Sequence, residues 1–348
     1  MGQAQAVKSG DNETMPVDTP DKSVTRRHDT LWFEDGNLVL VAENTSYKVH
    51  KSVLSFHSTV MVPMLLSAES TNPEAVVGDC PPIKLSDMEP DITLLLSIIY
   101  RGGPKYFDLS KPMDFQTVSG MLRLGRKYGI ESFCHEAQTR LEDFFPSTLR
   151  AYDAISEERF LSEDPNDEVS EFATIHMHRW ECPEAIRLLQ ATGLSQCLPC
   201  AFYCAAQLGE EALVEAVEKR HLSLENLKRC LKGIVHLRNA DMVSVKSLIL
   251  GQRSRACKTP AECIRAGRAI VSSLLENKKL SAADALMKGS WIHSEAEGPT
   301  ADNKLCTACV NFHRGAHEAE RQKTWGSLKE FFDLTKGMGT LHTKCVKV

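Results

Sequence analysis

No apolar run in the 348-residue chain approaches the roughly 18–20 residues that a bilayer span needs. The opening stretch MGQAQAVKSGDNETMPVDTPDKS lacks the apolar segment of a secretory signal. Gly2 stands in the position of a myristoylation signal, but Ala6 stands where Ser or Thr is required. In the terminal CVKV, Lys347 replaces the aliphatic residue of a prenylation box. Neither charge sign is in excess: 41 Lys and Arg face 46 Asp and Glu, a net of −5, which argues against a chain built to coat nucleic acid. The phosphate-cradling patterns GxxxxGK[ST] and GxGxxG are missing, as is the metalloprotease HExxH. These absences leave an expectation of a non-catalytic protein of the cytoplasm or nucleus, with no membrane and no small-molecule substrate.

What is present is ordinary globular material, 42% hydrophobic and 25% charged. Residues 1–28 are the exception. They are polar, with almost no large apolar side chains, and are expected to be a disordered arm. NLVLVA and YKVH then read as strands joined by the turn ENTS, and KSVLSFHSTVMVPMLLSA reads as a helix loosening near Pro63. Residues 67–82 read as an exposed loop, and IKLSDM as a third strand. EPDITLLLSIIYRGG, MDFQTVSGMLRLGRKYGI and ESFCHEAQTRLEDFF follow as three helices, the last stopping before Pro146. Residues 156–168 look like an acidic linker. From 169 to about 290 the pattern is helical, with Ser223 expected as an N-cap, and KLCTACVNFHRGAHEAERQKTWGSLKEFFDL is a last helix beyond a loop at 294–303.

Two groups of residues invite chemistry. In YKVHKSVLSFHS, His50, Ser52 and His57 have the side chains of nucleophilic catalysis. On a strand-to-helix reading His50 ends the strand and His57 lies about 10 Å further along the helix. The pattern therefore predicts that His50 hydrogen-bonds backbone near the strand end. The second group is the cysteines, twelve in all. With no secretory signal they are expected as reduced thiols. Cys306 and Cys309, with His313 and His317, would form a helical stripe about 16 Å long, too extended for a single tetrahedral ion. Joined instead by Cys257 and Cys263 of RACKTPAEC, they make a possible four-cysteine zinc site. Cys197, Cys200 and Cys204 are the rival donors. The basic Arg123, Arg126 and Lys127 and the acidic Glu210 and Glu211 read as solvated helix faces, and a redox role for the CxxC pairs is disfavoured because neither opens a helix after a strand.

The segments FEDGNLVLVAENTSYKVHKSVLSFHSTVMVPML, IKLSDMEPDITLLLSIIYRG and MLRLGRKYGIESFCHEAQTRL, in that order, resemble the BTB/POZ domain, and the proline-rich loop, the RGGPKYFDLS extension and the C-terminal LCTACVNFHRGAHEAERQKTWGSLKEFFDL resemble the large fungal (basidiomycete-type) group of such proteins. The resemblance implies an N-terminal α/β (α+β) domain over 29–146, followed by a mainly α-helical C-terminal domain over 147–335 and a flexible tail over 336–348. It implies a protein–protein interaction module that forms homodimers and docks a partner. A narrower reading is a substrate adaptor for a cullin-type ubiquitin ligase; an alternative of another class is a DNA-linked transcriptional regulator with a zinc-stabilised C-terminal half. Members of the family carry an Asp and a basic residue flanking a charged pocket at the dimer interface. Lys51 fits the basic position, whereas Asn37 replaces the acid. Asp35, on the same side of an extended strand, is the substitute partner. The interaction residues so implied are Asp35, Asn37, His50 and Lys51.

Overall fold

A computed structural model describes residues 25–67, 82–102, 107–109, 111–155, 160, 173–276, 284–288, 292 and 304–335. The loop expected at 67–82, the linker at 156–168, the loop at 294–303 and the tail at 336–348 fall almost entirely outside them. The N-terminal unit is a four-stranded sheet with helices against it. Its strands are β1 (Arg26–Trp32), β2 (Leu38–Ala42), β3 (Thr45–Val49) and β4 (Pro82–Leu85), in the order β1-β3-β2-β4. β2 pairs antiparallel with β3 through the expected turn, where Glu43 takes φ 50°, and parallel with β4. All five residues of β2 (LVLVA) are buried, the unbroken apolar run of a strand covered on both faces.

β1 corrects the expectation for the N-terminal arm. Arg26, Arg27 and His28 belong to this strand, which pairs in parallel with β3. A polar, largely exposed edge strand has no apolar alternation to announce it. The helix expected over 51–68 is two helices, α1 (Lys51–His57) and α2 (Met61–Ser67). Pro63 sits in the first turn of α2, where its missing N–H costs nothing. The break comes at Ser58, whose hydroxyl accepts the backbone N–H groups of Val60 and Met61 at 3.2 and 2.9 Å and donates to the carbonyl of Tyr128.

α3 (Glu89–Arg101), α4 (Phe115–Tyr128) and α5 (Glu131–Phe144) complete the unit. α3 opens with Pro90 in its first turn, and Gly129 ends α4 at φ 64°. Arg123 and Lys127, expected to be merely solvated, pair with Asp91 (2.8 Å) and Asp87 (2.6 Å), which fastens α4 to the start of α3.

The second half is helical: α6 (Leu149–Ala154), α7 (Cys182–Thr192), α8 (Leu198–Ala206), α9 (Glu210–Glu218), α10 (Leu224–Ser244), α11 (Lys246–Ile249), α12 (Pro260–Glu276) and a C-terminal helix (Thr307–Phe331). Ser223 caps α10 as expected, its hydroxyl accepting from the N–H of Asn226 at 3.2 Å. Glu210 pairs with Arg238 at 2.9 Å. One hydrophobic cluster runs from Leu31 in the sheet to Leu334 past the last helix, so both halves share it. A second, smaller cluster joins α11, α12 and the start of the C-terminal helix around Leu248, Ile270 and Cys309.

The seam between the halves is built on Arg140 of α5, which is fully buried. Its Nε pairs with Glu136 at 2.7 Å, and its guanidinium also donates to the carbonyls of Asp108, Lys111 and Thr174 at 2.7–2.9 Å. Thr174 adjoins β6 (Ile175–His176), which pairs with β5 (Met113–Asp114), so one side chain secures the short ladder between the halves. On the opposite side Arg321 of the C-terminal helix reaches Asp153 of α6 at 2.6 Å, and Trp325 donates to the carbonyl of Ser147 at 3.1 Å.

Two predictions follow from buried charge. Arg140→Met leaves the Glu136 carboxylate without its cation and takes one donor from each of three carbonyls, so it is expected to lower stability by about 3–5 kcal/mol, read as the shift of a urea midpoint. Asp241 of α10 is buried with no donor on its Oδ2 among the described residues; burial, with Asp284 adding to it, pushes its pKa from 3.8 up to about 8. The folded state therefore keeps a proton that the unfolded state loses, and stability falls as pH rises from about 4 to about 8. Asp241→Asn is expected to remove that decline, measured by urea unfolding at pH 5 and pH 8.

Candidate functional site

The first site is the turn from β1 to β2 and the hinge from β3 into α1. Phe33 to Gly36 form a turn closed by the Gly36 N–H on the carbonyl of Phe33 at 3.0 Å, not the extended strand expected for Asp35. A Cβ on Gly36 would stand 2.9 Å from Lys48 Cγ and 3.0 Å from the Phe33 carbonyl, so the turn packs its backbone against β3. Lys48 reaches back across it, donating to the carbonyl of Glu34 at 2.7 Å.

His50 does not bond to a backbone carbonyl as expected. Its backbone N–H donates to the Tyr100 hydroxyl at 2.7 Å, its Nδ1 lies 3.2 Å from the same oxygen, and its Nε2 lies 3.2 Å from Asp35 Oδ1. Phe33 stacks on Tyr100 with centroids 4.7 Å apart and tilts against His50 at 5.3 Å. The hydroxyl accepts from the backbone, so its own proton is available toward Nδ1, and Nε2 is the ring nitrogen that faces Asp35. A carboxylate, an imidazole and a hydroxyl in line are the order of a catalytic relay. Here the hydroxyl is a phenol whose pKa burial raises, assisted by the charge on Asp35 and opposed by the hydrogen bond from His50. It is protonated and already occupied, so the chain works as a brace between α3 and the hinge. His57 lies at the far end of α1, where burial lowers its pKa, and Ser52 and Ser55 are exposed.

Asn37 has a structural task of its own. Its Oδ1 accepts the backbone N–H of Lys51 at 2.9 Å, and its own N–H donates to the carbonyl of Val49 at 2.9 Å. It thus caps the first residue of α1, which has no cap from His50. Asp35 pairs with His50, so the substitute pairing expected between Asp35 and Lys51 is replaced by a cap from Asn37 to the Lys51 backbone. Asn37→Ala is expected to lower stability by about 1 kcal/mol, whereas Lys51→Ala stays within about 0.5 kcal/mol, since only the backbone of Lys51 is used. Thermal denaturation of the two variants checks this.

The second site gathers the four cysteines that sequence spacing had grouped. The sulfurs of Cys257, Cys263, Cys306 and Cys309 all lie within 4.8 Å of one another. Cys257 comes from the loop before α12 and Cys263 from the first turn of α12, whereas Cys306 is the N-cap of the C-terminal helix and Cys309 lies in its first turn. The CxxC pair opens a helix, but residues 304–306 before it are in no strand, in keeping with the expectation that neither pair opens a helix after a strand. The N–H of Cys306 donates to the Cys263 sulfur at 3.3 Å, and the Cys306 and Cys257 sulfurs are 3.9 Å apart. Burial raises the Cys306 thiol, but the Cys309 backbone and the other three thiols outweigh this and bring it down to about 7. Cys309 is pushed up to about 12 by burial and by donating to its neighbours.

The two histidines of the same helix lie elsewhere, as the stripe length required. His313 Nδ1 is 2.8 Å from the Ser247 hydroxyl, and His317 Nε2 is 3.0 Å from the carbonyl of Met287. Burial lowers the pKa of both. The rival donors Cys197, Cys200 and Cys204 are buried in and before α8 within the main core, and burial holds Cys197 up to about 12. Among the described residues no helix is long and apolar enough to cross a membrane.

Comparison with known proteins gives one match. A family model described as the BTB/POZ domain covers residues 33–144, the stretch from the β1–β2 turn to the end of α5. No curated protein and no solved structure matches the chain. The fungal grouping has no support beyond the sequence resemblance. Residues 33–144, which hold β2 to β4, the hinge and α1 to α5, thus form a BTB/POZ domain, a protein-interaction module, and the described residues that follow are mostly helical.

Proposed function

We propose that this is a non-catalytic interaction protein that self-associates through its BTB/POZ domain and docks a partner with the assembled surface. The family match over 33–144 carries the reading. A surface feature supports it: Phe56 at the end of α1 is 87% exposed, with Val60 and Met64 partly exposed close by in sequence. A large aromatic side chain left in water beside further apolar groups is the composition of an interface centre. Asp35, Asn37, His50 and Lys51 lie at the root of the same helix. In this reading they hold α1 in place and Lys51 offers its side chain to the partner copy. The helical half supplies a second docking surface. No residue described above singles out a cullin or DNA, so the proposal stays with self-association.

Burial of one Phe56 is worth about 2 kcal/mol. Two-fold symmetry counts it twice, so its loss weakens a dimer by about 4 kcal/mol, roughly a thousandfold in Kd. Sedimentation velocity of the full chain is expected to give twice the monomer mass, and Phe56→Asp the monomer with an unchanged circular dichroism spectrum. A wild-type chain that stays monomeric at the highest soluble concentration would overturn the proposal.

A further inference from the structure

The four-cysteine cluster belongs to no part of the BTB/POZ domain and has no task in the reading above. We propose that Cys257, Cys263, Cys306 and Cys309 bind one zinc ion as a tetrathiolate, and that this ion staples the start of the C-terminal helix to α12. Zinc–sulfur bonds of about 2.3 Å directed to the corners of a tetrahedron place the sulfurs about 3.8 Å apart. One pair already stands at 3.9 Å and every pair is within 4.8 Å, so closing on the ion needs side-chain movement of less than about 1 Å. An iron–sulfur cluster distributes its thiolates over separate irons and spreads them wider than a single ion does. The compactness of this set therefore selects a mononuclear site.

The surroundings suit a site with a net charge of −2. Both α12 and the C-terminal helix, of 17 and 25 residues, begin at the cluster, so two positive helix ends face the sulfurs. A backbone N–H already points at the Cys263 sulfur. The loop that carries Cys257 also carries the exposed cations Arg253, Arg255 and Lys258. Binding forms four Zn–S bonds, releases the thiol protons to water and moves no electron.

The reason for a staple lies in the size of the core around it. Among the described residues, the cluster that includes Cys263 and Cys309 contains nine buried members, apart from the main core. A core this small rarely holds on its own. Cys263 and Cys306 are 43 positions apart, and a cross-link closing so long a loop removes considerable entropy from the open state.

The test is metal analysis of the full chain purified without chelator, together with cobalt substitution. The expected result is one zinc per chain, and on replacement the visible absorption of tetrahedral cobalt bound by four thiolates. Cys309→Ser and Cys257→Ser are each expected to weaken zinc binding at least tenfold, whereas His313→Asn retains one zinc per chain. Chelation is expected to abolish hydrogen-exchange protection at the start of the C-terminal helix and in α12 while leaving that of α4 and α5 in place, so the outcome does not depend on whether the variants fold. Iron in place of zinc, a disulfide among the four cysteines, a metal-free chain that takes up no zinc, or zinc retained by both serine variants would overturn the proposal.

Discussion

Arg140 is the constraint on which the arrangement of the two halves depends. A guanidinium with no exposure to water is tolerable only if its donors are matched and its charge is met, because an unpaired buried charge costs several kcal/mol. The match is made by one carboxylate on its own helix and three carbonyls from two segments, the turn at 108–111 and Thr174. None of those segments can move without exposing a polar group to an apolar interior. The exposed ion pairs elsewhere, such as Lys219 with Glu215, carry no such obligation and are worth little. The BTB/POZ domain is therefore fastened to the helical half, with α5 as the shared member and Arg321 and Trp325 closing the far side.

Such fastening bears on how an interaction protein would work. A hydrophobic cluster continuous from Leu31 to Leu334 leaves no slack at the end of α5. A partner bound on the α1–α2 face and one bound on the helical half would be held at a set separation and angle, so the module acts as a bracket between partners and not as beads on a flexible line.

Much of the fold was legible, and the reasons differ by element. The strand LVLVA is an unbroken apolar run, and the helices α3 to α5 carry apolar residues at helical spacings, with stop signals in Gly102 and Pro146; the second strand is expected at YKVH, whereas it starts at Thr45 and Ser46, which read as turn. β1 was not legible, because its edge position leaves polar residues exposed and removes the alternation that marks a strand. The four cysteines were grouped correctly from spacing because Cys257 with Cys263 and Cys306 with Cys309 are local pairs, and only their meeting required the fold. Asn37, His50 and Arg140 were beyond reach. What each does is set by a partner whose position depends on tertiary structure: the Lys51 amide, the Tyr100 hydroxyl and the carbonyls of Asp108, Lys111 and Thr174. An Asn in place of an acid suggested a weakened charge pair, whereas its amide oxygen serves as a helix cap with no charge required.

The C-terminal helix has a further consequence. Its 25 residues extend about 37 Å at 1.5 Å per residue, with Cys309 in the small core near one end and Leu328 in the main core near the other. Between them Arg321 must face α6. The helix therefore acts as a ruler with three graduations on set bearings. Adding or removing one residue along it would rotate one end by about 100° against the other, so the segment from Cys309 to Leu328 can absorb a substitution far more readily than a change of length.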